Sequence, residues 1–267
     1  MGNADTASAG TSSLLQIEKV GAVLTVGLNR PAKRNALNDG IILGIGDCFA
    51  TLPEDVGAVV IHGIGDHFSS GLDLSELRDH DATGGLLHSQ MWHQVFNRIQ
   101  YSRVPVIAAL KGAVIGGGLE LACAAHIRVA EPSAYFALPE GQRGIFVGGG
   151  GSVRLPRLIG VARMMDMMLT GRVYSATEGA SYGFAQYVTD ANGGLAKALE
   201  LATKIAGNAP LTNFAVLQAL PMIAEANPQT GLLMESLMAT VAQSDKEAKR
   251  RIREFLEHKT AKVKPKS

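Results

Sequence analysis

The chain has 267 residues, 46% of them apolar and 18% charged, with a formal net charge of +1. That length can bury a sizeable core as one large domain or two small ones, and the composition is that of a globular chain, not a disordered or fibrous one. The balanced charge offers no bulk attraction to nucleic acid or a membrane surface, and no apolar run approaches the roughly 20 residues needed to span a bilayer. The two cysteines, Cys48 and Cys123, make neither a disulfide framework nor a metal spacing, so a reduced, cytoplasmic compartment is expected.

Residues 1–13 are small and polar, with neither a basic n-region nor an apolar h-region. They read as a disordered tail rather than a signal or transit peptide. Segments 14–19 and 22–28 alternate and are β-branched, as two strands around Val20-Gly21 would be. Residues 37–52 have helical spacing, with Asn38-Asp39 as cap candidates. A short apolar strand is expected at 58–62, and 63–80 has the glycine- and charge-rich composition of a functional loop. Leu87, Met91, Val95 and Ile99 set a helical face over 86–101. A strand at 105–110, a helix at 119–125 and a strand at 134–138 follow, then helices at 152–159, 164–169 and 177–182 and a strand at 186–189. After Asn192-Gly193-Gly194 the pattern is helical only: 195–207, 211–224, 230–244 and 246–258.

Strands alternating with helices predict an α/β fold with a mainly parallel sheet and right-handed crossovers. The helical end carries Leu217, Leu220, Ile223, Leu232, Leu233, Leu237, Met238 and Val241, more apolar surface than one small layer needs. Some of it is expected at a subunit interface. The predicted organisation is a tail over 1–13, a core over 14–193 and a helical oligomerisation region over 194–267.

Residues 104–140 carry the chemistry. An uncharged strand-like run is broken by Lys111-Gly112. Gly116, Gly117 and Gly118 then lead directly into helix-forming sequence. A strand that turns through glycines into a helix leaves the first helical N–H groups unpaired, and glycine lets a ligand approach them. A negatively charged oxygen suits such a turn; a tight turn with no ligand is the alternative. Glu120 lies in the first helical turn among apolar neighbours, where it is either an exposed dipole partner or a buried carboxylate that needs a function. Glu140 follows Pro139, where a salt bridge to Arg143 competes with a catalytic role. An anion-holding turn with two nearby carboxylates is an arrangement for acid–base work around an oxyanion.

The GGG-x-E pattern ending at Glu120, the Pro139-Glu140 pair and the glycine cluster 148–151 resemble the crotonase (enoyl-CoA hydratase/isomerase) superfamily. Two further stretches agree. Leu28-Asn29-Arg30-Pro31 through Asn35-Ala36-Leu37 looks like the family's NRP-x-x-x-NAL segment, and Phe68-Ser69-Ser70-Gly71-Leu72-Asp73-Leu74 like its FSAGxDL segment. The resemblance runs from about residue 14 to 259. It implies a core of repeated ββα turns, C-terminal helices that trimerise, and a homotrimer or hexamer built as a dimer of trimers.

For the site, the resemblance implies an acyl-CoA thioester whose oxyanion is held by the N–H groups of Leu72 and Gly117. Glu140 would exchange the C2 proton, Glu120 would hold the water, and Gly148 would help position water or substrate. Lys33, Arg34, Ala36, Ser70, Asp73 and Leu74 would border the coenzyme, Asp73 fixing the oxyanion loop. Coenzyme A is part of the substrate, and no metal or other cofactor is implied. The chain departs from the pattern at Val147, which replaces a usual proline, at the polar Gln142-Arg143, and at Leu72, larger than the usual alanine. Trp92 lies in a segment that often borders the acyl pocket.

The expected reaction is hydration of a 2-enoyl-CoA, because adding water across C2=C3 needs two acid–base groups where an isomerase commonly uses the second carboxylate alone. The alternatives are a Δ3,Δ2-enoyl-CoA isomerase, a hydratase with possible thioester hydrolysis for an unusual acyl group such as methylthioacryloyl-CoA, and an RNA-binding family member. The last needs a concentrated basic face, which the near-neutral charge opposes. The basic series Lys246, Lys249, Arg250, Arg251, Arg253 and Lys259 is interleaved with Glu247, Glu254 and Glu257 and reads mainly as a solvated helix face.

Overall fold

A computed structural model describes residues 14–75 and 81–257. The expected tail over 1–13, part of the loop over 63–80, and Lys259 lie outside the described residues. Among the described residues, no helix is long and apolar enough to cross a membrane. The chain divides into two compact units, Met1–Ala206 and Gly207–Ser267.

In chain order the first unit runs β1 (Leu15–Val20), β2 (Val23–Leu28), α1 (Asp39–Ala50), β3 (Ala58–Gly63), α2 (Ala82–Gln100), β4 (Val106–Leu110), β5 (Ala113–Ile115) and α3 (Gly117–Ala124). It continues with β6 (Ile127–Ala130), β7 (Tyr135–Ala137), α4 (Gly151–Ile159), α5 (Val161–Thr170), β8 (Tyr174–Ser175), α6 (Ala176–Tyr182), β9 (Tyr187–Val188) and α7 (Gly194–Ala206). A six-stranded sheet has the order β1-β2-β3-β4-β6-β9, and a three-stranded sheet the order β5-β7-β8. Among the described residues, only the β1–β2 and β7–β8 pairs are antiparallel. The remaining pairs are parallel.

The strands of a two-sided sheet read as continuous apolar runs because alternate residues go to opposite covered faces. In β3, Ala58 and Val60 join Val23, Ile107, Ala109 and Val129 against Ala198, Leu201 and Ala202 of α7. Val59 and Ile61 point the other way, into the larger core with Ile41, Ile42 and Ile45 of α1 and Val95, Phe96 and Ile99 of α2. The helix starting at Gly194, which the sequence pattern assigns to the helical end, therefore covers one sheet face within the first unit.

Local signals hold where they have a physical cause. Asn38 caps α1 with its side chain accepting from Ile41 N–H, and Ser175 and Glu178 form a reciprocal capping box on α6. Two short parallel strands, β5 and β6, carry too few residues to show a period and are absent from the sequence expectations.

The second unit holds α8 (Pro210–Phe214), α9 (Leu220–Glu225), α10 (Pro228–Ser244) and α11 (Lys246–Leu256). The helix expected over 211–224 is interrupted by a π turn, Ala215–Ala219, in which Leu220 N–H reaches back to the Ala215 carbonyl. Pro221 has no N–H to continue the regular ladder at that point. In α10 only Gly231 is buried, while Leu232, Leu233, Leu237 and Val241 stay exposed.

Candidate active site

The site lies in the first unit, where loops after parallel strands gather beside α3, the position at which open α/β sheets commonly bind ligands. Asn35 is fully buried and ties the loops together. Its Nδ2 donates to the carbonyls of Ile64 and His67 at 2.9 and 2.8 Å, and its Oδ1 accepts from Arg30 N–H. Ser69 Oγ donates to the Asn35 carbonyl at 2.8 Å.

Leu37 and Leu72 form an isolated parallel bridge: Leu37 N–H donates to Gly71 O, and Asp73 N–H to Leu37 O. In that pattern the N–H of Leu72 points away from Leu37. It points toward the glycine turn, since Leu72 N lies 3.4 Å from where a Cβ of Gly117 would sit. A Cβ on Gly71, at φ +90°, would in turn lie 3.2 Å from Gly117 N. Neither the Leu72 nor the Gly117 N–H has a hydrogen-bond acceptor among the described residues. The two sequence-predicted oxyanion donors are thus brought side by side.

Each glycine of the turn admits a different neighbour. A methyl on Gly116 would lie 2.5 Å from Glu140 Oε1, one on Gly117 2.8 Å from Trp92 Cζ3, and one on Gly118 2.7 Å from the Ser69 carbonyl oxygen. The turn therefore packs a carboxylate, an indole and the donor loop against bare backbone. Trp92, buried on α2, meets Phe96 edge-on with ring centroids 5.6 Å apart.

Both glutamates are buried, Glu120 to 4% exposure and Glu140 to 8%, so the exposed-dipole alternative for Glu120 does not hold. Their surroundings differ. Glu120 Oε1 accepts from Gly149 N–H at 2.9 Å and from Gly151 N–H, the start of α4, at 2.7 Å. The buried Oε2 of Glu140 has no hydrogen-bond partner. Burial raises the pKa of Glu120, opposed by the N–H groups of Gly151 and Gly149 and the charge of Arg154. Burial also raises that of Glu140; its own backbone N–H and Arg143 oppose this, and the charge of Glu120 adds to it. Two N–H donors favour the charged form of Glu120, whereas the buried Oε2 of Glu140 has no such donor.

The glycine cluster is held from α2. Ser89 Oγ donates to Gly148 O at 2.6 Å, and Arg154 Nη1 donates to Gly149 O at 3.0 Å while its other nitrogens hold Gln100 and Asn97. Arg154 is 8% exposed. Sequence reasoning missed Asn35, Ser69, Ser89 and Arg154 as site-building residues. A half-buried serine on a helix gives no pattern in a single chain.

All six residues expected along the coenzyme path, Lys33, Arg34, Ala36, Ser70, Asp73 and Leu74, line one open cleft of about 480 Å³ that also contains Leu72 and Arg143. Asp73 accepts ion pairs from Arg30 Nη2 at 2.8 Å and Lys33 Nζ at 3.0 Å. Burial alone would raise the Asp73 pKa, but hydrogen bonds from Ser75, Lys33 and Arg30 hold it well below the usual carboxylate range. Asp73 is thereby shared between two cations, and the trio keeps a positive charge in the loop. Arg34 and Arg143 make no ion pair among the described residues.

An enoyl-CoA hydratase/isomerase family model matches residues 18–266. The 2,3-dehydroadipyl-CoA hydratase of Escherichia coli K12 is 33% identical over 250 residues, covering 93% of this chain and 97% of its own. The short-chain-enoyl-CoA hydratase of Clostridium acetobutylicum is 33% identical over 223 residues, covering 82% of this chain and 85% of its own. Among solved structures, a candidate enoyl-CoA hydratase from Rhodopseudomonas palustris CGA009 is 75% identical. It superposes with a TM-score of 0.92 over 97% of this chain and 100% of that one. With the paired N–H groups and the two unlike glutamates in place, this chain belongs to the enoyl-CoA hydratase/isomerase family.

Proposed function

We propose that this protein hydrates 2-enoyl-CoA thioesters, adding water across C2=C3. The thioester carbonyl sits between the N–H groups of Leu72 and Gly117, which hold the enolate oxygen as charge develops; one such donor is typically worth about 2.7–4 kcal/mol. Ionised Glu120 takes a proton from water as the water oxygen bonds to C3, and protonated Glu140 delivers its proton to C2. The proton left on Glu120 returns to Glu140 through solvent, which closes the cycle. Proton transfers alone complete the reaction, so it needs no redox group and no metal. The cleft from Leu72 past Ser70 to Lys33 and Arg34 takes the coenzyme arm, and Gly148 lies on the water side beside Glu120. The exposed apolar residues of α10 fit a homotrimer or a dimer of trimers.

The observation that carries this reading is the contrast between the carboxylates: one bonded by two N–H groups, the other buried with an unpartnered oxygen. An isomerase that moves one proton with Glu140 has no need of the first arrangement. The test follows loss of conjugated-thioester absorbance over a panel of enoyl-CoA substrates for wild type, Glu120→Gln and Glu140→Gln. Each single change should cost at least about 100-fold, and the double change far less than the product of the two. Near wild-type hydration by Glu120→Gln, with Glu140→Gln dead, would make Glu120 structural and the enzyme an isomerase.

A further inference from the structure

The carboxylate of Glu120 is held by a peptide group that is itself held. Gly148 and Gly149 share one peptide unit. Its N–H donates to Glu120 Oε1 at 2.9 Å, and its carbonyl accepts from Ser89 Oγ at 2.6 Å. His93, one turn further along α2, places Nε2 3.4 Å from the same Oγ. The serine has one proton and the carbonyl takes it, so a His93 tautomer protonated on Nε2 donates to the serine oxygen. The order is then His93, Ser89, Gly148 carbonyl, Gly149 N–H, Glu120. A hydrogen bond to an amide oxygen draws electron density through the amide and makes the N–H at its far end a better donor. Glycines provide no side chain to fix the plane of this peptide, so its orientation depends on such anchors. The next peptide has its own anchor, Arg154, on the Gly149 carbonyl.

We propose that Ser89 is a positioning residue for Glu120: by holding the Gly148 carbonyl it fixes and polarises the peptide whose N–H binds the carboxylate. The inference rests on the assignment of Glu120 to water activation. With the bond in place the ionised carboxylate is favoured. Without it the Gly149 N–H turns away or weakens, and Glu120 keeps its proton to higher pH. Arg154, Glu140 and Cys123 also act on or respond to Glu120, and His93 stands behind the serine. Replacing Ser89 leaves all four in place.

The experiment compares Ser89→Ala and Ser89→Thr in the full-length chain. One readout is kcat and KM for enoyl-CoA hydration across pH. The other is an infrared titration of the Glu120 carboxyl, identified as the band lost in Glu120→Gln. Ser89→Ala should lower kcat roughly tenfold, the scale of one lost hydrogen bond, with KM within about twofold. Its acid limb and its infrared midpoint should both move to higher pH, and Ser89→Thr should restore both. A Glu120 midpoint that does not move in Ser89→Ala overturns the proposal whatever the rate does. Equal losses in the alanine and threonine variants also overturn it, because they indicate packing. If the wild type hydrates no enoyl thioester, the hydratase reading falls, and the infrared midpoint still decides the role of Ser89.

Discussion

Gly116→Ala adds one methyl group, and the structure says where it goes. Gly116 has φ +52° and ψ −124°, a backbone conformation outside the left-handed helical region that costs a residue with a Cβ about 1–3 kcal/mol. The methyl would lie 2.5 Å from Glu140 Oε1 and 3.5 Å from its Cδ. The carboxylate is the end of a flexible side chain, so it can yield, and reaching ordinary contact takes a retreat of about 0.9 Å. A reacting group misplaced by about 1 Å can cost about 10²-fold. The expected result is a folded enzyme, destabilised by about 1–3 kcal/mol. Its hydration and solvent exchange of the C2 proton should fall by about 100-fold, with KM nearly unchanged. Absorbance kinetics, proton NMR of the exchanging C2 position and a thermal melt measure these. Gly85→Ala is the control: a Cβ there, on α2, meets nothing within 4 Å, so the same methyl should gain about 0.5–1 kcal/mol and leave the rate alone. Turnover by Gly116→Ala within a few-fold of wild type would refute the placement of Glu140 against the turn as the reason for the glycine.

Two further outcomes follow from the same structure. Burial, reinforced by the charge of Glu120, raises the folded pKa of Glu140 above its unfolded value. Ionised Glu140 therefore costs stability above the folded pKa and nothing below about 4.5, the unfolded value. Glu140→Gln should raise Tm at pH 8, with the gain shrinking as pH falls toward about 4.5; a gain that grows in acid would contradict the burial argument. For assembly, the exposed Leu232, Leu233, Leu237 and Val241 of α10 predict sedimentation as a trimer or hexamer at micromolar protein, and a stable monomer would remove that reading.

Much of the fold is legible because the sheet is buried on both faces. Runs such as Val59, Val60 and Ile61, or Val106 to Leu110, have no polar alternation and declare central strands directly. What escapes is set by length and by context. β5 and β6 are too short to display a period, and their pairing with β7 and β4 comes from chain segments distant in sequence. The helix beginning at Gly194 was legible as a helix, but its partner was not: an apolar stripe of Ala198, Leu201 and Ala202 fits a sheet face as well as another helix. The π turn ahead of Pro221 is a local consequence of a missing N–H, readable in principle from the proline but not as to which way the backbone would adjust.

The site divides along the same line. The proposed reacting groups sit in a continuous stretch whose spacing carries meaning, so Gly117, Glu120 and Glu140 can be named from sequence. Their difference in character cannot. Two glutamates are chemically identical on paper, and the asymmetry arises from what the fold brings to each. The α4 N-terminus and the Gly148–Gly149 peptide offer N–H groups to Glu120, whereas Glu140 is pressed against Gly116 with one oxygen unsatisfied. The donors to Glu120 are backbone atoms of glycines, and no residue type at those positions records that they are donors. The side chains that hold the glycines from behind are Ser89 and Arg154, and neither position belongs to a motif. In the proposed reaction acid and base differ only by the surroundings of the carboxylates, which is why a substitution at Ser89, a residue placed outside the reacting groups, tests the chemistry as directly as one at Glu120.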